Sequence, residues 1–215
     1  MLILRKITKG LYLNELNGIS AVILASGLST RMGRPKLLLP WNKKTILWEI
    51  TSTLVEAGIQ DIIVVIQAQQ ELLFDHIQNL AIFSPVRIAL NDSFEPEDML
   101  STIHCGLKAI EHSNSAALIT LGDQPQIQED VVRRICNAFF ESREQIIIPS
   151  YLMKRGHPWL ISHSLWPQLI QLKSPFTPHD FLEQHKDEIH YVLVDNPSIL
   201  QDIDTPEDYD SHKPA

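Results

Sequence analysis

Three apolar runs constrain this chain more than any other feature: Ala21-Val22-Ile23-Leu24, Ile62-Ile63-Val64-Val65-Ile66 and Ala116–Leu121. Each is continuous rather than alternating, so each predicts a strand buried on both faces, as in a parallel sheet covered by helices on either side. Segments of helical periodicity lie between them. Thr45 is placed to cap a helix that carries Ile46, Leu47, Ile50, Leu54 and Val55 on one face and stops at Gly58. Helices are also predicted over 70–80, 99–111 and 129–140. Further strands are predicted at Val86–Leu90 and at Ile146-Ile147-Ile148, the latter stopped by Pro149. Repeated βα units of this kind mean an α/β fold, doubly wound around a mostly parallel, Rossmann-like sheet. Its crossovers are right-handed and its ligand sits outside the carboxyl ends of the strands.

The first strand runs into a loop of small residues, Ala25-Ser26-Gly27-Leu28-Ser29-Thr30, and the chain then turns basic at Arg31, Arg34 and Lys36. Small side chains let backbone N–H groups crowd around an anion. Ser29 and Thr30 add hydroxyl donors, and Arg31 and Lys36 add full charges. From Ser20 to Trp48 there is no Asp or Glu, although the chain as a whole has a net charge of −8. That local inversion of charge suits a polyphosphate. The plainer reading of the same stretch is a strand-to-helix turn with solvated basic residues. A Walker loop is excluded, because Gly27 and Gly33 are one residue too far apart and Lys36 stands three beyond. A dinucleotide fingerprint is excluded as well, because Leu28 and Ser29 follow Gly27.

The overall acidity argues against general nucleic-acid binding, and no apolar run approaches a membrane span. The apolar part of Met1-Leu2-Ile3-Leu4-Arg5-Lys6 is too short for a signal peptide. Cys105 and Cys136 form neither a CxxC pair nor a disulfide framework, and the cytoplasm is the expected compartment. Residues 1–18 are an N-terminal extension of unknown role, with Leu11-Tyr12-Leu13 either an edge strand or part of a loose segment. Residues 19–212 are expected to form a single domain.

A second landmark, Leu121-Gly122-Asp123-Gln124-Pro125, closes the strongest strand. A carboxylate at a strand's carboxyl end, beside a basic phosphate loop, is well placed to hold Mg²⁺, which takes one or two protein carboxylates plus phosphate oxygens and waters. A third landmark is Asp202-Ile203-Asp204-Thr205-Pro206-Glu207-Asp208. In extended backbone Asp202 and Asp204 project to the same side, so either can add a second carboxylate. Asp204 or Thr205 also caps a final helix, with acids in its first turn. From Tyr151 onward the pattern is irregular: a turn at Arg155-Gly156-His157-Pro158, a short strand, two helices separated by Pro175 and Pro178, and a strand over 190–194. This segment reads as a small irregular lobe.

The pattern L-A-x-G-x-S-x-R-M-G-x-x-K over 24–36, followed in order by these later motifs, resembles nucleotidyltransferases of the sugar-nucleotide type. The resemblance is closest to the molybdenum cofactor cytidylyltransferases and covers 20–209. It implies Mg²⁺-dependent transfer of a nucleoside monophosphate, CMP from CTP, to the phosphate of a molybdopterin-type acceptor, with release of pyrophosphate. A molybdoenzyme or its chaperone is then a candidate partner. Gly27, Arg31 and Lys36 would hold the triphosphate, and Ala25, Ser26, Ser29, Ser101 and Gly122 would complete the nucleotide site. Arg31, Lys36 and Asp123 would be catalytic, Asp123 with Asp204 or Asp202 would bind the metal, and Arg155, Gly156 and His157 would face the acceptor in the irregular lobe. Because the acceptor phosphate is itself the nucleophile, no Ser, Cys or His base is needed. Pro35 before Lys36, and Ala25-Ser26 without a second glycine, favour CTP over GTP. The chain departs from the family at Ser26, where Ala or Gly is usual, at Asp98 and Leu100 flanking Met99, and at Met153, where Gly is usual. Two other readings stand beside this one: transfer to a sugar or isoprenoid phosphate, and a non-catalytic nucleotide-binding protein of the same fold.

Overall fold

The computed structural model describes residues 16–92 and 99–214. Strands β1 (Ile19–Leu24), β4 (Ile62–Ile66), β5 (Val86–Leu90) and β6 (Ala116–Leu121) run parallel in the order β6-β1-β4-β5. A small antiparallel hairpin, β2 (Pro40–Trp41) with β3 (Lys44–Thr45), follows the basic loop. Beyond β6 the sheet continues through β9 (Trp159–Ser162) and β7 (Ile146–Tyr151) to β10 (Ile189–Leu193), with β8 (Lys154–Arg155) paired to β7. β7 and β10 are parallel to each other, whereas β9 is antiparallel to both of its neighbours.

The continuous apolar strands have the cause expected for them. Ala21 and Ile23 pack into a core shared with α1 (Ile46–Ala57), α2 (Glu71–Ala81) and α4 (Glu129–Glu141). Val22 points the other way, into a core shared with α3 (Met99–Ala109), α5 (Trp166–Gln171) and α6 (Pro178–Gln184). Each fully buried aliphatic side chain on either face contributes about 1.5–3 kcal/mol relative to exposure. The Thr45 hydroxyl accepts a hydrogen bond from Trp48 N at 3.2 Å and starts α1, and Gly58, at φ 106°, ends it.

One expectation is corrected here. Pro149 does not stop β7, which runs on to Tyr151. Pairing with β9 ends at Ile147 and pairing with β8 begins at Ser150, so the residue without an N–H falls between the two ladders. The segment after Tyr151 supplies two strands to the sheet, β9 in the middle and β10 at the edge. The reversal at Arg155-Gly156-His157-Pro158, with a cis His157–Pro158 bond, brings the chain back into the sheet from the carboxyl end of β7. Leu11-Tyr12-Leu13 lies outside the described residues. No described helix is long and apolar enough to cross a membrane.

Candidate active site

The loop after β1 is held by its backbone and by small polar side chains. Ala25 N donates to Val65 O at 3.0 Å, and Gln70 Nε2 donates to both Ala25 O (3.2 Å) and Gly27 O (3.1 Å). Ser29 takes a left-handed conformation, φ 54°, and its hydroxyl accepts from Lys36 N at 3.1 Å, closing the loop on itself. Buried Met32, Leu37 and Leu39 anchor the basic stretch in the core. Arg31 and Arg34 remain exposed, while the Lys36 side chain turns inward and is only 14% exposed.

Lys36 meets the other two landmarks at the carboxyl ends of the strands. Its Nζ donates to Asp123 Oδ2 at 2.6 Å and to Asp204 Oδ1 at 3.0 Å, and Arg31 takes Asp204 Oδ2 at 3.2 Å. Burial alone would lower the Lys36 pKa, but the charges and hydrogen bonds of Asp123 and Asp204 outweigh it and hold the ammonium above its ordinary value. Ile203 N donates to Asp123 O at 3.0 Å, which docks the C-terminal acidic segment against the end of β6. Asp202, the alternative to Asp204, instead accepts from Gln124 Nε2. Loss of water around its carboxyl raises the Asp202 pKa against that hydrogen bond, and the nearby Asp123 and Asp204 charges add to the rise.

Among the described residues no three His, Cys, Asp or Glu side chains converge as a ready-made metal centre. Mg²⁺ shared with phosphates needs fewer protein ligands than that. Asp123 Oδ1 is buried with no hydrogen-bond partner among the described residues, an expensive state for a carboxylate oxygen unless a cation or ligand meets it. The donor set of Asp123 and Asp204 therefore fits a divalent cation that brings phosphate oxygens with it.

Small polar side chains gather just past the ends of β1 and β5 and on α3. The Ser26 and Thr102 hydroxyls hydrogen-bond at 2.5 Å, and Asn91 Nδ2 donates to Ser101 Oγ at 3.1 Å and to Thr102 Oγ1 at 3.4 Å. The unusual Ser26 is thus matched by a partner hydroxyl on α3. Gly122 is required by close approach, since a Cβ there would lie 2.8 Å from Leu24 O and 3.3 Å from Leu37. Leu100, one of the departures from the family pattern, is buried in the core with Val22 and Ile103. Asp98 lies outside the described residues.

His157 and Gly156, expected to face the acceptor, border a cavity of about 500 Å³ walled by Met99, Trp159, Phe176 and Leu182. Gly156 packs so tightly on Ile199 that a Cβ would come within 2.3 Å of its carbonyl, and His157 N donates to that same oxygen at 3.0 Å. Burial pushes the His157 imidazole down to about 4, so the ring is neutral near pH 7. Arg155 borders the cavity too, but its guanidinium is engaged by Glu183 and by the Tyr191 hydroxyl. Met153 stands at the exposed tip of the β7–β8 hairpin, at φ 67°. The loop-holding Gln70, together with Thr102 and Gln124, escaped the reading from sequence. Only Gln124 carried a signal, its place beside Asp123.

Two cations and two carboxylates collected at the carboxyl ends of parallel strands, above a loop of small residues, define a class of protein that handles nucleoside triphosphates, the nucleotidyltransferases. The chain belongs to the MobA-like NTP transferase domain family, whose sequence model matches residues 21–189. It is 29% identical to the molybdenum cofactor cytidylyltransferase of Escherichia coli (strain K12) over 198 residues, 90% of this chain and 95% of that one. It is also 27% identical to the nicotine blue oxidoreductase of Paenarthrobacter nicotinovorans over 200 residues, 90% of this chain and 95% of that one. Among solved structures, Rv0371c from Mycobacterium tuberculosis H37Rv superposes with a TM-score of 0.77 at 23% identity, covering 91% of this chain and 97% of that one. The same mycobacterial protein is known as a complex with manganese, with a TM-score of 0.71 at 23% identity and the same coverage.

Proposed function

We propose that this NTP transferase moves CMP from CTP to the phosphate of a molybdopterin-type acceptor and releases pyrophosphate. The observation that carries the transfer chemistry is the meeting of Lys36, Arg31, Asp123 and Asp204, with Asp123 Oδ1 buried and unpartnered. The likeness to a cytidylyltransferase over nine-tenths of the chain supports the choice of CTP and acceptor, as do Ala25-Ser26 and Pro35-Lys36.

In this reading the loop backbone around Gly27, with Lys36 and Arg31, binds the triphosphate and neutralises the charge that grows on the leaving pyrophosphate. Asp123 and Asp204 would hold Mg²⁺, while Gln124 keeps Asp202 aside as a positioning residue. When bound, Mg²⁺ supplies charge neutralisation at the phosphates. Neutral His157 and the apolar walls of the neighbouring cavity orient a flat acceptor. The acceptor's phosphate, already anionic, attacks the α-phosphorus without a protein base. Ser26, Asn91, Ser101 and Thr102 line the nucleotide side as a hydroxyl and amide network.

The test offers CTP, GTP, ATP and UTP separately, with Mg²⁺ and molybdopterin, and follows pyrophosphate. CTP is expected to give the highest kcat/KM by at least about tenfold, equal to about 1.4 kcal/mol of differential transition-state binding. A GTP preference would overturn the base assignment. Pyrophosphate release only with sugar or isoprenoid phosphates would overturn the acceptor. Binding without turnover on any acceptor would favour a non-catalytic role. The likeness to an oxidoreductase raises a redox reading as well, which reduced-nicotinamide oxidation without pyrophosphate release would support.

A further inference from the structure

We propose that in the free protein Lys36 stands in for the divalent cation, so that nucleotide and cation binding are coupled through its displacement. The triphosphate draws Lys36 off Asp123 and Asp204, and only then can those carboxylates take the cation. This inference rests on the nucleotidyl-transfer reading and adds an order of binding to it.

Asp123 and Asp204 carry four carboxylate oxygens, and protein cations engage three of them. Lys36 Nζ takes Asp123 Oδ2 and Asp204 Oδ1, and Arg31 takes Asp204 Oδ2. The fourth, Asp123 Oδ1, is buried. Lys36 and Arg31 thus balance Asp123 and Asp204, and a divalent cation entering between the carboxylates would meet an ammonium already there. The ammonium is a compact point charge on a flexible four-carbon stem, so it can swing from carboxylate to phosphate without backbone motion. A triphosphate offers it strong anionic acceptors in exchange. The reverse swing follows loss of pyrophosphate, when Lys36 returns to Asp123 and Asp204 and releases the cation. Because coupling is reciprocal, whatever Lys36 costs the cation in the free protein, the triphosphate recovers by drawing it away.

The test titrates Mn²⁺ into the full chain without nucleotide, reading free Mn²⁺ by electron paramagnetic resonance. Lys36→Met keeps the side-chain volume and removes the charge. It is expected to bind Mn²⁺ at least about tenfold more tightly than wild type, within the usual range of coupling between sites. The same variant should bind CTP more weakly in EDTA, so one substitution moves the two affinities in opposite directions. Adding Asp123→Asn to Lys36→Met should abolish the gain, which locates it at Asp123. Circular dichroism checks each fold, and Lys36→Gln replaces Lys36→Met if the latter does not fold. Equal Mn²⁺ affinity in wild type and Lys36→Met, or a gain that survives Asp123→Asn, would overturn the coupling. Unchanged CTP affinity beside a Mn²⁺ gain would instead overturn the nucleotide reading beneath it.

Discussion

The His157 imidazole, held at about 4 by burial, borders the cavity beside Trp159 as a neutral ring. In the unfolded chain it protonates near 6.5, whereas the folded protein resists the proton. Stability is therefore full above about pH 6.5 and falls as pH drops towards about 4. Replacing His157 with Gln should flatten that part of the profile, by roughly 2 kcal/mol after discounting for the ring's access to the cavity. Urea denaturation of both proteins at pH 7 and pH 4.5 measures it, and parallel profiles would show that His157 is not protected. At this scale the charges of Lys36 and Asp123 could be read from sequence, because charge is a property of residue type, Lys36 lying in the basic stretch after the loop and Asp123 just past a strand. Gln70 was not, because an amide that clamps two loop carbonyls is recognised only once Ala25 and Gly27 lie beside it.

Helix α7 (Pro206–His212) shows how an element can serve a site it does not enter. The Thr205 hydroxyl accepts from Asp208 N at 3.1 Å, and the Asp208 carboxylate accepts from Thr205 N and from Asp204 N. This capping box fixes the backbone immediately around Asp204. Thr205→Ala should cost about 1 kcal/mol in urea denaturation and should also weaken binding of CTP with Mg²⁺. A stability loss with unchanged nucleotide affinity would separate the cap from the site. Elements were the most legible level, because apolar periodicity and capping are local. The exceptions were elements shaped by neighbours: Pro149 is tolerated in β7 only through the gap between two pairing partners.

For the whole molecule, a ligand that binds only the folded state must raise its stability. CTP with Mg²⁺ at a hundredfold excess over Kd should add about 2.7 kcal/mol. For a chain of this size that raises the thermal midpoint by roughly 5–10 °C. Differential scanning fluorimetry checks it, and the Lys36→Ala protein should show a much smaller rise. The sequence by itself determined the class of fold, because continuous apolar runs need cover on both faces, and it marked the basic stretch, because no acid interrupts residues 20–48. It also carried the order of the landmarks along the chain. Only the tertiary structure decided that β9 enters the sheet antiparallel between β6 and β7, which sets His157 and its cavity at the same end as Asp123. It alone chose Asp204 over Asp202 as the partner of Lys36. Two carboxylates two residues apart are equivalent in an extended chain, and what separates them is Gln124 on one side and Lys36 with Arg31 on the other. Those contacts join residues far apart in the chain, so they arise from strand order and packing, which no local pattern encodes.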